Sequence, residues 1–173
     1  MIRPLVATVL TATLAAPVLA QDMLTARANF VNGEGEEIGT AALSETPSGV
    51  VINVEVTGLP AGEHGFHIHQ TGSCETPDFQ SAGGHYAPRG NQHGFLVEGG
   101  PHAGDMPNQF IQEDGILRAH IRNDRVTLGE GEGSLFDEDG SAFIIHANPD
   151  DYQSQPSGDA GPRLACAVIE KSS

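Results

Sequence analysis

The sequence predicts an all-β fold, and three observations support this class. Apolar residues recur at every second position in most of the ordered-looking segments, which is the spacing of a strand with one buried face. Helix signals are nearly absent, and 22 glycines and 11 prolines divide the chain into short segments. Because so many short strands in one flat sheet would leave an apolar face uncovered, we expect a β-sandwich or a flattened eight-stranded barrel.

The predicted strands follow one another closely at first and are then separated by two long connections. The first three form an antiparallel meander with its first turn at residues 32–35. In chain order, the predicted strands are residues 23–31, 38–43, 50–56, 64–69, 116–121, 126–128, 141–146 and 163–169. The connections at residues 70–109 and 148–162 have no convincing period, and loops of that length in a compact domain are usually functional.

The first twenty residues have the pattern of a signal peptide. Arg3 supplies a positive start, residues 5–14 an apolar stretch, and residues 18–20 a cleavage site of small residues. The apolar stretch is too short for a stable membrane span. We therefore expect an exported protein in which residues 21–173 form a single domain.

Charge and cysteine content narrow the function classes. The formal net charge is -15, and Lys171 is the single lysine, so nucleic acid and anionic membranes are excluded as partners by repulsion. Cys74 and Cys166 are the two cysteines. An even pair in an exported protein predicts a disulfide, here between the first long loop and the last strand.

The histidines form a pattern typical of metal binding. His67 and His69 lie two apart in a predicted strand, so both rings leave the same face. His146, at the end of another strand, would add a third nitrogen, and three or four imidazoles suit copper, with zinc as the competing assignment. His64 has the opposite parity and is expected to support the site by hydrogen bonding. His120 is expected on the sheet surface.

A second set of ligands lies in the first long loop. His85, His93, His102 and Asp105 follow at intervals of eight, nine and three residues. Three imidazoles and one carboxylate make a closed tetrahedral set, which zinc accepts in structural sites. We expect zinc to order this loop.

Four segments together resemble the copper/zinc superoxide dismutases. They are Gly65-Phe66-His67-Ile68-His69, Ser81-Ala82-Gly83-Gly84-His85, His102-Ala103-Gly104-Asp105 and Gly161-Pro162-Arg163-Leu164-Ala165-Cys166. The resemblance covers about residues 23–169, and the Gly72-Ser73-Cys74 segment is similar to the bacterial branch of the family. It implies a Greek-key β-sandwich with two functional loops, a periplasmic location and conversion of two superoxide anions and two protons to dioxygen and hydrogen peroxide.

The resemblance also implies residue roles. Copper would be bound by His67, His69, His85 and His146, and zinc by His85, His93, His102 and Asp105. His85 would bridge the two metals and release copper during its redox cycle, while zinc keeps the ring in place. Two cations together can stabilise a ring that has lost both protons.

Three further residues match family positions. Asp150, with Asp151 as its near rival, would link a copper histidine to a zinc histidine from outside the ligand set. Arg163 would bind the superoxide anion, and the hydroxyl of Ser157 would narrow the entrance to the site. The segment between His146 and Arg163 contains no lysine or arginine. This departs from the longer, lysine-bearing loop of eukaryotic members, so Arg163 and, less securely, Arg89 are left as cations that steer the substrate.

Two other functions use part of the same pattern. A non-enzymatic exported copper/zinc-binding protein would need the histidines but not Arg163. A purely structural zinc sandwich would not explain His67, His69 and His146. A homodimer is compatible with the sequence, which contains no clear trace of an interface.

Overall fold

The computed structural model describes residues 23–172, so the predicted signal peptide at residues 1–20 lies outside the described residues. The described chain contains one short 3-10 helix, Gln80–Ala82, and nine strands. The strands are β1 (Thr25–Asn32), β2 (Glu37–Thr46), β3 (Gly49–Val56), β4 (Gly62–His64), β5 (Phe66–His69), β6 (Gln109–Ile111), β7 (Leu117–Asn123), β8 (Ala142–His146) and β9 (Arg163–Lys171). None of the described helices is long and apolar enough to cross a membrane.

Seven strands form one antiparallel sheet in the order β5-β8-β9-β1-β2-β3-β7, and β4 pairs with β6. The predicted meander is present as β1, β2 and β3, whose registers run without a break except for one irregularity at Phe30/Val31. The chain crosses from β3 to β5 and from β7 to β8, which are far apart in the strand order. The all-β class predicted from the sequence is confirmed.

The sheet curls into a half-barrel, so that strands distant in the strand order share one core. Phe30 on β1 packs against Phe66 on β5 and Phe143 on β8, with ring centroids 6.4 and 6.1 Å away, and these two rings lie 5.3 Å from each other. All three rings are fully buried. Burying side chains of this size stabilises the fold by about 1.5–3 kcal/mol each, and it holds β5 and β8 against the rest of the sheet.

Three strand predictions need correction. Residues 64–69 are divided between two strands, because the chain changes partner at Gly65: β4 pairs with β6, and β5 pairs with β8. The predicted strand at residues 126–128 is wrong, since its apolar side chains are buried without a ladder and only the isolated bridge between Thr127 and Ser134 forms. Strand β6 was missed because it is three residues long and its central Phe110 is exposed.

The predicted disulfide between Cys74 and Cys166 is present. Cys166 lies on β9, and Cys74 lies in the connection from β5 to β6, which we call the β5–β6 loop (residues 70–108). Phe79 and Ala82 of this loop pack with Cys166 and with Ile144 of β8 in a small second core. The bridge and this core attach the start of the loop to the sheet.

Candidate metal centre

Two strands present three histidines on one side of the sheet. On β5, Phe66 and Ile68 enter the main core, whereas His67 and His69 point to the opposite face, as the alternation predicted. His146 ends β8, beside a register shift at Ile145/His146. The backbone of His69 forms an isolated bridge with His85, which brings a fourth ring to the group. We call His67, His69, His85 and His146 the strand-borne cluster.

Each of these rings directs one nitrogen into a common space. His67 Nδ1 and His85 Nε2 are buried without a hydrogen-bond partner among the described residues. His69 Nε2 and His146 Nε2 lie 3.4 Å apart. A buried nitrogen without a partner is costly unless something binds it. One ligand atom from each of the four residues lies within 4.8 Å of the others, so the geometry fits a metal ion.

The other nitrogen of each ring is held by a second group, which fixes the ring orientation. The Nδ1 of His69 lies 2.9 Å from the carbonyl oxygen of Gly83, and the Nδ1 of His146 lies 3.2 Å from that of Gly161. The Nε2 of His67 lies 2.8 Å from Oδ2 of Asp150. Four imidazole nitrogens suit copper or zinc.

The loop-borne cluster consists of His85, His93, His102 and Asp105. The Nδ1 atoms of the three rings lie 2.8, 3.1 and 3.4 Å from Oδ1 of Asp105. The longest of these, from His102, is not a hydrogen bond, and this Nδ1 has no partner. The second carboxylate oxygen, Oδ2, accepts hydrogen bonds from the backbone N–H groups of Gly94 and His102. Three imidazoles and one carboxylate match a closed zinc site.

His85 belongs to both clusters. Its Nδ1 faces Asp105 in the loop-borne cluster, and its Nε2 faces the strand-borne cluster. The ring lies 4.0 Å from that of His67 and 5.0 Å from that of His93, measured between centroids. A single imidazole is therefore placed between two candidate metal positions.

Asp150 joins the clusters from the opposite side. Its two carboxylate oxygens lie 2.8 Å from Nε2 of His67 and 3.0 Å from Nε2 of His93. The rival Asp151 accepts hydrogen bonds from Ser154 and Gln153 within its own loop and does not contact the rings. Gly158, at φ 67, leaves room for the carboxylate, since a Cβ there would clash with Oδ1 of Asp150.

The environments shift the pKa values of the buried histidines in both directions. Burial lowers the pKa of His146 to about 3 and that of His85 to about 4, and it also lowers the pKa of His69. Burial opposes charge on His93 as well, but the hydrogen bonds that its ring donates to the carboxylates of Asp105 and Asp150 outweigh it and raise its pKa to about 9. At neutral pH His85 and His146 are therefore neutral rings with one lone-pair nitrogen each, and His85 would have to lose its remaining proton to bind a metal at both nitrogens.

A cavity of about 380 Å³ opens the strand-borne cluster to solvent. Among the described residues that line it, Arg163 has the only permanent positive charge, and none is a carboxylate. Arg163 donates hydrogen bonds to the carbonyl oxygens of Phe79 and Gly83, which hold its guanidinium at the wall. Ser157 also lines the cavity. Arg89 does not line it and instead pairs with Glu132 at 3.0 Å.

The supporting histidines lie where their parity placed them. His64 is buried, and its ring nitrogens lie 2.7 Å from the carbonyl oxygen of His146 and 3.1 Å from that of Pro60. It supports the backbone of His146 and is in neither cluster. His120 is exposed on β7.

Several residues that hold the loops were missed by the sequence analysis. Arg125 donates to the carbonyl oxygens of His102 and Asp105, and Asn123 donates to that of Ala103. Two others, Gln155 and Asn108, bind the backbones of His93 and Asp150 respectively. These are polar side chains with no motif of their own, so only the folded positions of their partners reveal the role.

The sequence that forms these two clusters is similar to those of known proteins. Residues 37–169 match the family model for copper/zinc superoxide dismutase (SODC). The chain is 52% identical over 148 residues to superoxide dismutase [Cu-Zn] 2 of Aquifex aeolicus (strain VF5), an alignment that covers 84% of this chain and 86% of the relative. It is 43% identical over 141 residues to superoxide dismutase [Cu-Zn] of Caulobacter vibrioides, covering 80% and 81%.

Solved structures agree with this relationship. A superoxide dismutase-like protein from Bacillus subtilis superposes with a TM-score of 0.79 at 39% identity, covering 82% of this chain and 96% of that one. Cu/Zn superoxide dismutase from Brucella abortus gives 0.70 at 29% identity, covering 84% and 99%. With the family model matched over most of the sequence, the chain belongs to the copper/zinc superoxide dismutase family.

Proposed function

We propose that this protein is a superoxide dismutase whose strand-borne cluster binds copper and whose loop-borne cluster binds zinc. The observation that carries the proposal is the position of His85, which offers one ring nitrogen to each of two complete four-ligand sets. A protein that only stored metal would need neither this shared ring nor an arginine at the cavity. When bound, copper supplies a one-electron redox couple and zinc supplies a fixed positive charge.

The side chains around the cavity would carry out three tasks. Arg163 offers a fixed cation with several N–H donors, which suits a small anion such as superoxide. His85 would accept a proton at Nε2, the ring nitrogen that faces the strand-borne cluster, and give it up again, while its Nδ1 stays with the loop-borne cluster. Asp150 keeps the rings of His67 and His93 in place while this happens.

The proposal is tested by measuring bound metals and superoxide turnover in the wild-type protein and in His85→Ala. Loss of the shared ring removes one ligand from each set, so we expect the variant to bind zinc at least tenfold more weakly. We expect its turnover to fall to a small fraction of the wild-type rate. His120→Ala, on the exposed face of β7, is the matched control and should change neither quantity.

Two outcomes would contradict the proposal. Wild-type protein that binds both metals but turns over no superoxide would favour the non-enzymatic metal-binding protein. A His85→Ala variant with wild-type metal content and turnover would show that this ring does not join the two sites.

Export, domain extent and assembly stay predictions of the same proposal. We propose that residues 1–20 are removed on export to the periplasm and that residues 21–173 form one domain. The disulfide supports an oxidising compartment, since such bonds are rare in the cytosol. Mass spectrometry of the secreted protein should give an N-terminus near Gln21. A retained leader would contradict it.

We also propose that two copies associate as a homodimer. Among the described residues, Leu96 and Phe110 leave 71% and 62% of their surface exposed, so both are available for burial against a second copy. Sedimentation equilibrium should give twice the chain mass, and Leu96→Ser or Phe110→Ser should lower it. A monomeric wild-type protein would refute this part of the proposal alone.

A further inference from the structure

Two amide side chains connect the long loops in opposite directions. Gln155 lies in the connection from β8 to β9, which we call the β8–β9 loop (residues 147–162). Its Oε1 accepts a hydrogen bond of 3.0 Å from the backbone N–H of His93, and its Nε2 donates one of 2.8 Å to the carbonyl oxygen of His93. Asn108, at the end of the β5–β6 loop, makes the same pair of hydrogen bonds to the backbone of Asp150, each 2.9 Å long.

The hydrogen bonds from Gln155 replace those that a strand would provide. His93 lies outside the strands and is fully buried, so its backbone N–H and carbonyl groups need partners within the protein. Glutamine and asparagine are the side chains that carry a donor and an acceptor side by side, as a peptide group does. Gln155 itself is largely exposed, and water would satisfy its amide equally well. These two hydrogen bonds therefore stabilise the buried backbone of His93 rather than the side chain of Gln155.

The ring of His93 depends on the position of this backbone. Its Nδ1 lies 3.1 Å from Asp105, and its Nε2 lies 3.0 Å from Asp150. The two carboxylates come from different loops, so a shift of the His93 backbone would weaken one contact or the other. The ring keeps both contacts only while the two loops stay in register, and Gln155 is the side chain that joins the β8–β9 loop to the His93 backbone itself.

We propose that Gln155 is a positioning residue for the loop-borne cluster, holding the His93 backbone so that this cluster binds zinc tightly. The inference rests on the proposed function for the identity of the metal. According to this inference, the exposed side chain of Gln155 in the β8–β9 loop fixes the position of the ligand His93 in the β5–β6 loop.

The test compares Gln155→Met with Gln153→Met in the full-length mature protein. Methionine keeps the length of glutamine but cannot form either hydrogen bond, and Gln153 is an exposed residue of the same loop. Zinc affinity is measured by competition with a chelator. We expect Gln155→Met to bind zinc on the order of tenfold more weakly, as loss of a group that orients a ligand commonly does. Gln153→Met should bind like the wild type.

A spectrum distinguishes positioning from a general loss of stability. Cobalt(II) in place of zinc absorbs visible light with bands that report the ligand geometry. We expect these bands to shift in Gln155→Met and to stay unchanged in Gln153→Met. Wild-type zinc affinity and an unchanged cobalt spectrum in Gln155→Met would overturn the inference, as would equal weakening by both substitutions.

A measurement on the wild type covers the case in which a variant does not fold. The backbone amide of His93 should exchange its hydrogen slowly, because Gln155 binds it; rapid exchange would overturn the inference. Absence of zinc binding by the wild type would instead overturn the proposed function. The exchange rate of this amide in metal-free protein would still decide whether Gln155 holds the backbone.

Discussion

The two clusters differ in how the chain holds them. In the strand-borne cluster, β5 and β8 pair over Phe66 to His69, and the core beneath them fixes His67, His69 and His146 before any metal binds. In the loop-borne cluster, His93, His102 and Asp105 lie outside the strands and are held by hydrogen bonds from other loop residues. The comparison indicates that the fold builds the first site, whereas the second depends on contacts between loops and on the metal itself.

Substitution of Asp150 should produce the largest difference between the two clusters in metal affinity. In the wild type, each carboxylate oxygen of Asp150 accepts a hydrogen bond from one ring, that of His67 or that of His93. Asp150→Asn leaves only one acceptor oxygen, so one of the two rings loses its partner. We expect the loss to affect His93 more, because strand β5 also holds His67. Zinc affinity should fall on the order of 10- to 100-fold while copper is retained. Chelator competition for each metal measures this.

Asp151→Asn is the matched control, because Asp151 is only partly buried and its carboxylate accepts hydrogen bonds from residues of its own loop. It should bind both metals like the wild type. Equal losses of copper and zinc in Asp150→Asn would contradict the difference between the clusters.

The metal-free protein should show the same contrast as a function of pH. His146 has a pKa of about 3 when folded against 6.5 as the reference value, so the unfolded chain binds its proton at higher pH. Its contribution to stability is present above pH 6.5 and is lost as the pH falls. His93, at about 9, behaves in the opposite way: its contribution is present below pH 6.5 and is lost as the pH rises through 9.

Each limb should change the free energy of unfolding by about 1.4 kcal/mol per pH unit and per histidine. Denaturation of metal-free protein between pH 4 and 9.5 measures it. His146→Asn should flatten the acid limb and leave the alkaline limb unchanged. If it flattens the alkaline limb instead, the assignment of the two environments is wrong.

Arg163 and Arg89 extend the comparison to charges. Arg163 stands on β9 at the cavity wall, whereas Arg89 lies in the β5–β6 loop and pairs with Glu132. Arg163→Ala should lower superoxide turnover several-fold and flatten its dependence on salt, since it removes the one permanent cation of the described lining. Arg89→Ala should change neither. An unchanged salt profile in Arg163→Ala would remove its steering role.

Much of the centre was predictable from the sequence because its ligands belong to short motifs. Strand parity alone placed His67 and His69 together and His64 apart, and the structure brings His85, His93, His102 and Asp105 together as their spacing suggested. The predicted strand at residues 126–128 is wrong because buried and partly exposed side chains alternate there in the same way as in a strand, although the backbone makes only an isolated bridge.

The supports between the loops were not predictable in the same way. Gln155 lies 62 residues from His93, and an exposed glutamine in a polar loop is usually solvated. Its role follows from the meeting of two irregular segments, and neither segment has a periodicity that would predict its path.

The central claim is that one imidazole ring contacts two different metals, one held by strands and one by loops. Anomalous diffraction at the copper and zinc absorption edges of the doubly loaded protein tests it most directly. We expect an anomalous copper peak beside Nε2 of His85 and an anomalous zinc peak beside Nδ1 of the same ring. A single metal in the fully loaded protein, or a ring of His85 that contacts only one of the two ions, would contradict it.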